Sequence, residues 1–470
     1  MSRRIVVIIF LTALVLRLGY IGFIYEGPES LVQEDSGLYL LLADTLKQSY
    51  VTGMAPPDDL AGMFTERTPG YMYFVAGFKT FVSDSHLPIV IAQAIIDAIV
   101  CVLGGYLAGF FHQRLILPAG MLAAFNVNMI VNSSLILSDG LFMLPFIGGL
   151  IASAAYIRAP SFAAVLAATV LFSGALLVRP VLLYFPPVLI VFFVLTAWRH
   201  RIPVVQSLSH VGVIALGFVL IIGPILLQNQ KDYGHLAYVS QTGTHALFWI
   251  YPQAQEFANG VPREESVAEM RLQLQAYQDK LGGAGDQNNP FVADAELKTV
   301  ASRALWGMGL GAIVKAWGVG SVINLVSPGI ISSPLVRKMV RPSFISTPGA
   351  NPVEKIWNYF AANKLFTLVI LPAAVFTTLL WLLAGLSLLQ LYPRIPRSQD
   401  VKSSCFLDLA QTLFLLVVGT YILAVTGPVV GVKYRLPLEP MFDIFLAASL
   451  LWCVERWTRQ RTRANDFIGQ

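Results

Sequence analysis

Charge is what this chain lacks. Only 13% of its 470 residues are Asp, Glu, Lys or Arg, against 56% hydrophobic, and mean hydropathy is +0.66. Soluble domains carry about 25% charged residues, so a soluble globular domain is excluded and a polytopic membrane protein is indicated. Cysteine is scarce as well. Cys101, Cys405 and Cys453 all fall in apolar runs, and an odd, scattered set argues against a disulfide framework or a thiolate metal site. The net charge is +5, yet no basic stripe suggests nucleic acid. No period of 20–50 residues marks a repeat. After Arg3-Arg4 and the apolar run to Ile24 there is no small-x-small cleavage site, only Tyr25-Glu26-Gly27-Pro28, so that run is expected to be retained as a first helix.

What the chain does have is long apolar runs. A span needs about 20 residues, and ten runs approach that length: 5–24, 88–111, 115–133, 135–156, 162–178, 181–197, 208–228, 365–391, 405–426 and 438–454. The expected fold is an all-α polytopic membrane protein of about ten transmembrane helices. Short-loop bases set the orientation. Arg3, Arg4, Arg114, Arg158, Arg199 and Arg201 fall on one side, the cytoplasm, which sends the 26–87 loop outward. A further apolar stretch, Ala304 to Val326, contains Lys315. If it does not cross, Arg394, Arg397, Lys402, Arg456, Arg459, Arg461 and Arg463 all lie inside, so 304–327 is expected to be an interfacial or re-entrant helix. Both termini are then cytoplasmic. Three parts follow: an N-terminal transmembrane module 1–228 carrying the outer loop 26–87, an outer segment 229–364, and C-terminal spans with a basic tail, 365–470. In the outer segment, Val267, Met270, Leu274 and Tyr277 recur at helical spacing between Glu264 and Leu281, before the break Gly282-Gly283-Ala284-Gly285, and predict a small helical cap.

The first loop is acidic in a basic chain. Glu26, Glu29, Glu34, Asp35, Asp44, Asp58, Asp59, Glu66 and Asp84 face only Lys47, Arg67 and Lys79. Asp35 precedes an amphipathic run, Leu38, Leu41, Leu42 and Thr45, suited to a juxtamembrane helix. It reads either as a helix N-cap with Glu34 favoured by the helix dipole, or as a general base, metal ligand or substrate ligand at the lipid boundary. Arg67, in Glu66-Arg67-Thr68-Pro69-Gly70-Tyr71, stands beside a Pro-Gly turn and either presents a fork for phosphate or pairs with Glu66. Asp139 opens the fourth span as an intramembrane carboxylate or an N-cap. Arg179-Pro180 breaks the alternation of cytoplasmic bases, and Arg17 inside the first span is expected to snorkel outward. Lys433-Tyr434-Arg435-Leu436-Pro437 places two bases on the outer side, where an anionic headgroup would balance them; an interface anchor is the plainer alternative.

Taken in order, Asp35-Ser36-x-x-Tyr39-x-x-x-Ala43, Arg67-x-Pro69-Gly70-Tyr71, Ser138-Asp139-x-Leu141-Phe142, Arg179-Pro180 and Tyr434-Arg435-Leu436-Pro437 resemble the GT-C membrane glycosyltransferases. The nearest branch is glycosyltransferase family 39, that of protein O-mannosyltransferases and aminoarabinose transferase. The resemblance implies a GT-C-type bundle with juxtamembrane helices in the first outer loop. It also implies a polyprenyl-phosphate-linked sugar as donor, transfer to a lipid, glycan or protein acceptor, and inversion at the anomeric centre. Asp35 becomes the candidate catalytic carboxylate with Glu34 beside it. Arg67, Arg435, Lys433 and Arg179 become the donor-phosphate clamp, with Tyr39, Tyr71, Asp139 and Tyr434 as substrate contacts. Asp139 stands where the family often has Glu. Carboxylates beside a phosphate would suit a divalent cation, although no ligand set identifies one. The expected setting is a bacterial inner membrane with the site facing the periplasm. A lipid or glycan transporter or flippase is the main alternative; a surface-glycan ligase or polymerase and a non-catalytic assembly subunit are two more.

Overall fold

The computed structural model describes residues 1–339, 344, 347–391 and 406–468, and within these no strand occurs. Arg394, Arg397, Lys402 and Cys405 lie outside the described residues, as do the side chains of Asp58, Asp59, Arg459, Arg461 and Arg463. Among the described residues seven helices are long and apolar enough to cross a membrane, or nine if each of two bent pairs is one span. The seven are Arg3–Ile24, Leu87–Ala108, Ser138–Arg158, Val204–Tyr233, Lys364–Leu391, Leu409–Thr426 and Val432–Thr458.

The differences from the ten expected runs have local causes. The 115–133 run divides into Ile116–Phe125 and Val127–Ser133. Asn126 sits between them, its side chain accepting from the Asn128 and Met129 N–H groups as an N-cap, and the axes bend by 54°. The runs at 162–178 and 181–197 give shorter helices, Phe162–Val178 and Pro186–Arg199. The 304–327 run is not one helix. Its first residues end the Pro290–Gly307 helix, Gly309 adopts φ +81, and Leu310–Val326 leaves at 103°. An L side chain is strained at that φ, so glycine is what permits the elbow.

Lipid exposure accounts for the surface. Val204–Tyr233 buries only His210, Ile214, Phe218 and Asn229 and exposes Leu216, Val219, Leu220 and Leu227. Lys364–Leu386 exposes Leu368, Leu371, Val375, Phe376 and Leu379. Faces of that size destabilise a monomer in water but match acyl chains.

The bundle interior holds ion pairs. Arg17 is fully buried and paired with Asp97, and it also donates to the Ala13, Ala123 and Ala124 carbonyls. The expected outward snorkelling of Arg17 is therefore corrected. Asp97 and these three carbonyls satisfy the guanidinium where it stands. Apart from the main core, Ala246, Leu247, Tyr251, Met270, Val300 and Ala301 form a small separate one, against which Leu274 and Tyr277 pack. Met270, Leu274 and Tyr277 lie on the Arg263–Lys280 helix, the polar helix read from spacing.

Candidate active site

The first turn of the Glu34–Thr52 helix is the fixed point of the site. Gln33, not Asp35, is its N-cap, and the Gln33 N–H donates to Ser36 Oγ at 2.9 Å. Ser36 in turn donates to the Ile136 carbonyl at 2.7 Å, and Tyr39 Oη donates to Ser138 Oγ at 3.2 Å. These bonds hold the turn against the start of the Ser138–Arg158 helix. Asp35 is thus left aimed away from capping duty. Glu34 is exposed on the same turn and takes no part in the contacts of Asp35.

A second segment delivers Arg67. Pro69 and Gly70 do not form a loop turn; they open the Pro69–Phe81 helix, with proline at a position that needs no N–H. Thr68 Oγ1 donates to the Val178 carbonyl at 2.7 Å. A Cβ on Gly70 would meet the Leu177 carbonyl oxygen at 2.8 Å. Glycine therefore lets this helix start lie directly on the end of Phe162–Val178, where Arg179 follows as C-cap. That close approach leaves both Arg67 and Arg179 within electrostatic reach of Asp35.

The third cation comes from the far end of the chain. Gly431 N–H donates to Asn324 Oδ1 at 2.8 Å, and Asn324 Nδ2 donates to the Val429 carbonyl at 2.9 Å. Those bonds fasten the Val432–Leu438 turn to the end of Leu310–Val326 and leave Lys433 facing Asp35.

The result is one carboxylate held by two cations. Lys433 Nζ pairs with Asp35 Oδ2, and Arg67 Nη2 lies 3.4 Å from Asp35 Oδ1. Arg67 also lies over the Tyr39 ring, 5.7 Å from its centroid. Asp139 is buried and paired with Arg179, whose charge reaches Asp35. Burial alone would raise the Asp35 carboxyl. Lys433 above all, then Arg67 and Arg179, outweigh it and hold the group below the usual carboxylate range. The Asp35 side chain keeps 40% of its surface, so the cluster is open to a ligand.

The other expected site residues are placed as follows. Tyr71 is fully buried, edge-on to Tyr39 at 4.8 Å, and donates to Gln93 Oε1 at 2.6 Å. Tyr434 lies under Lys433, 5.4 Å from Nζ to the ring centroid. Arg435 is turned away from this group. It is buried, bonds Glu439 Oε1 at 2.8 Å, and donates to the Leu325 and Ser327 carbonyls at 2.6 and 2.7 Å. A guanidinium on those orphan carbonyls caps the negative end of the Leu310–Val326 helix.

His245 was not singled out in the sequence. It lies within electrostatic reach of Asp35, Lys433, Arg67 and Arg179 and stacks on Trp249 at 5.8 Å, 15° from parallel. No spacing signal marks it, because its neighbours come from four remote segments. Asp97 and Asp443, both buried, were likewise not singled out.

Among the described residues no group of three or more His, Cys, Asp or Glu could hold a metal ion. Asp35 and Asp139 are already neutralised by side-chain cations, a donor set that does not fit a divalent ion. A groove of about 500 Å³ runs between Leu310–Val326 and Leu409–Thr426, lined by Val314, Trp317, Ser321, Thr420, Leu423 and Ala424. It lies on the two helices whose ends carry the segment with Lys433.

No family model matches the chain, and no curated protein matches it. Among solved structures the chain is similar to ArnT from Cupriavidus metallidurans, crystallised with undecaprenyl phosphate bound. The identity is 13% over 96% of this chain and 78% of that one, with a TM-score of 0.36. A likeness of that degree decides nothing about activity.

Proposed function

We propose that this protein is a membrane glycosyltransferase that moves a sugar from a polyprenyl-phosphate donor to a lipid, glycan or protein acceptor by direct, inverting displacement. The observation that carries this reading is the convergence of Arg67, Arg179 and Lys433 around Asp35. Three cations beside membrane spans suit a phosphate whose tail stays in lipid, and the apolar groove offers that tail a protein surface. As the phosphate leaves, charge develops on its oxygens, and Lys433 and Arg67 are fixed where they can hold it. Asp35 keeps both cations in place and faces the positive charge that develops at the anomeric carbon. Asp139 holds Arg179 in register, while Tyr39 supports the Arg67 guanidinium. Arg435 is left out of the clamp because its donors are spent on the helix end. We place the site on the periplasmic face of a bacterial inner membrane, on the distribution of Lys and Arg between short loops.

The test is binding and transfer in nanodiscs. Wild-type protein should bind polyprenyl phosphate and transfer labelled sugar from the polyprenyl-phosphate donor to membrane extract. Lys433→Ala and Arg67→Ala should lose both. Equal binding by wild type and both variants would remove the clamp and the reading with it. Lipid transport has the Arg17–Asp97 pair inside the bundle in its favour; donor translocation without sugar transfer would support it instead.

A further inference from the structure

We infer that His245 and Trp249 form the acceptor subsite, in which Trp249 stacks against a carbohydrate ring and His245 removes the proton from the attacking hydroxyl. This rests on the glycosyltransferase reading and names the side from which the acceptor enters.

The segment carrying His245 is tied down at both ends. His245 ends the short Thr242–His245 helix, whose Gly243 and Thr244 N–H groups donate to Asp294 Oδ1 at 2.7 and 3.1 Å. Any side chain at 243 would collide with the Asp294 backbone, so glycine lets this helix lie flat on Pro290–Gly307. Ser240 N–H donates to the Thr65 carbonyl at 2.9 Å, two residues before Arg67. The backbone carrying His245 is therefore fixed from two sides, within electrostatic reach of the cations, and the ring itself stacks on Trp249. Trp249 keeps 38% of its surface exposed. A partly exposed indole, held by His245 and with Arg263 6.0 Å from its centroid, next to a polar, charged site offers its remaining surface to the apolar face of a sugar ring.

The chemistry needs a base that Asp35 does not supply well. Both Asp35 oxygens face cations, and a carboxylate so held accepts a proton weakly. Burial lowers the His245 imidazole first. Asp35 works against that shift, and Lys433, Arg67 and Arg179 reinforce it, so the ring is neutral at pH 7 and free to accept a proton. The other charged groups on the elements packed around it are Asp294, with Lys298 near it, on Pro290–Gly307, Glu66 beside Arg67, and Arg263, which lies over Trp249. In the step, the acceptor oxygen forms its bond to the anomeric carbon while its proton passes to His245. The bond from that carbon to the phosphate oxygen breaks with its electron pair going to the phosphate, which Lys433 and Arg67 hold. His245 then returns its proton to water.

Two measurements test this. In nanodiscs, His245→Gln should bind polyprenyl phosphate like wild type while kcat falls about 10²- to 10⁴-fold. The acid limb of the wild-type pH profile should vanish with it. Trp249→Ala should raise the acceptor KM, and Trp249→Phe should restore it. Independently of transfer, diethyl pyrocarbonate modification of His245, mapped by mass spectrometry, should be suppressed by octyl glucoside and not by a zwitterionic detergent. Wild-type kcat and pH profile in His245→Gln, or equal modification in both detergents, would overturn the proposal. Protection without any sugar transfer in wild type would keep the carbohydrate subsite and defeat the donor reading instead.

Discussion

Asp35 and Lys433 stand 398 residues apart in the chain and form an ion pair. That pair joins the first turn of the Glu34–Thr52 helix to the turn that opens the last span, and Arg67 completes it from a third segment. A cluster assembled from such distances holds its geometry only if each contributing segment is pinned separately.

Lys433 is expected to matter more for transfer than for stability. Its replacement by Met should reduce kcat/KM about 10²- to 10³-fold, the cost of one preorganised donor to a developing oxyanion. Asp35 would keep Arg67, so thermal unfolding in detergent should change little. Steady-state kinetics beside a melting curve reads both quantities.

The pH dependence of stability has a defined sign at Asp35. Its carboxyl is depressed in the folded state, so its pairing contributes fully above the unfolded value, about 3.9. The contribution is lost only as pH falls through the lower folded value. The stability difference between wild type and Asp35→Asn should therefore be flat from pH 8 to about 5 and shrink below about 4. A difference that changes between pH 6 and 8 would contradict the double pairing.

Gly70 is a packing requirement for the site. A Cβ there would meet the Leu177 carbonyl at 2.8 Å and Val178 Cγ2 at 3.0 Å. Gly70→Val should cost about 1–3 kcal/mol from overpacking and displace Arg67 from Asp35. Donor affinity should fall in step, measured by polyprenyl-phosphate binding on the folded fraction.

The buried pairs should behave differently from the site. Asp97→Leu leaves the fully buried Arg17 guanidinium uncompensated and should cost about 3–5 kcal/mol, whereas Arg17→Met with Asp97→Leu should recover much of it. Arg435→Ala should likewise destabilise, since it uncaps a helix end and leaves the buried Glu439 with the Asn126 and Asn128 amides but no cation. In the variant that still folds, donor KM should stay near wild type. Chemical unfolding in detergent checks the first, and kinetics the second.

The all-helical membrane class and most span positions were legible in the chain, because burial in lipid demands long apolar runs and those are local. The acidic first loop and the bases at 67, 179 and 433 were legible for a related reason: a charge in or beside an apolar run stands out against it. Their partners were not. Arg17 read as an anchor because Asp97 lies 80 residues on, and Arg435 read like Lys433 although the fold spends it on a helix end. Pro69-Gly70 read as a turn because the Leu177 and Val178 backbone that it packs against is far off in sequence. His245 carried no signal at all. Composition determined by itself which residues leave water, since that depends on each stretch alone. Only the packed bundle decided which charges meet, because an ion pair depends on the distance between side chains and not on their spacing along the chain.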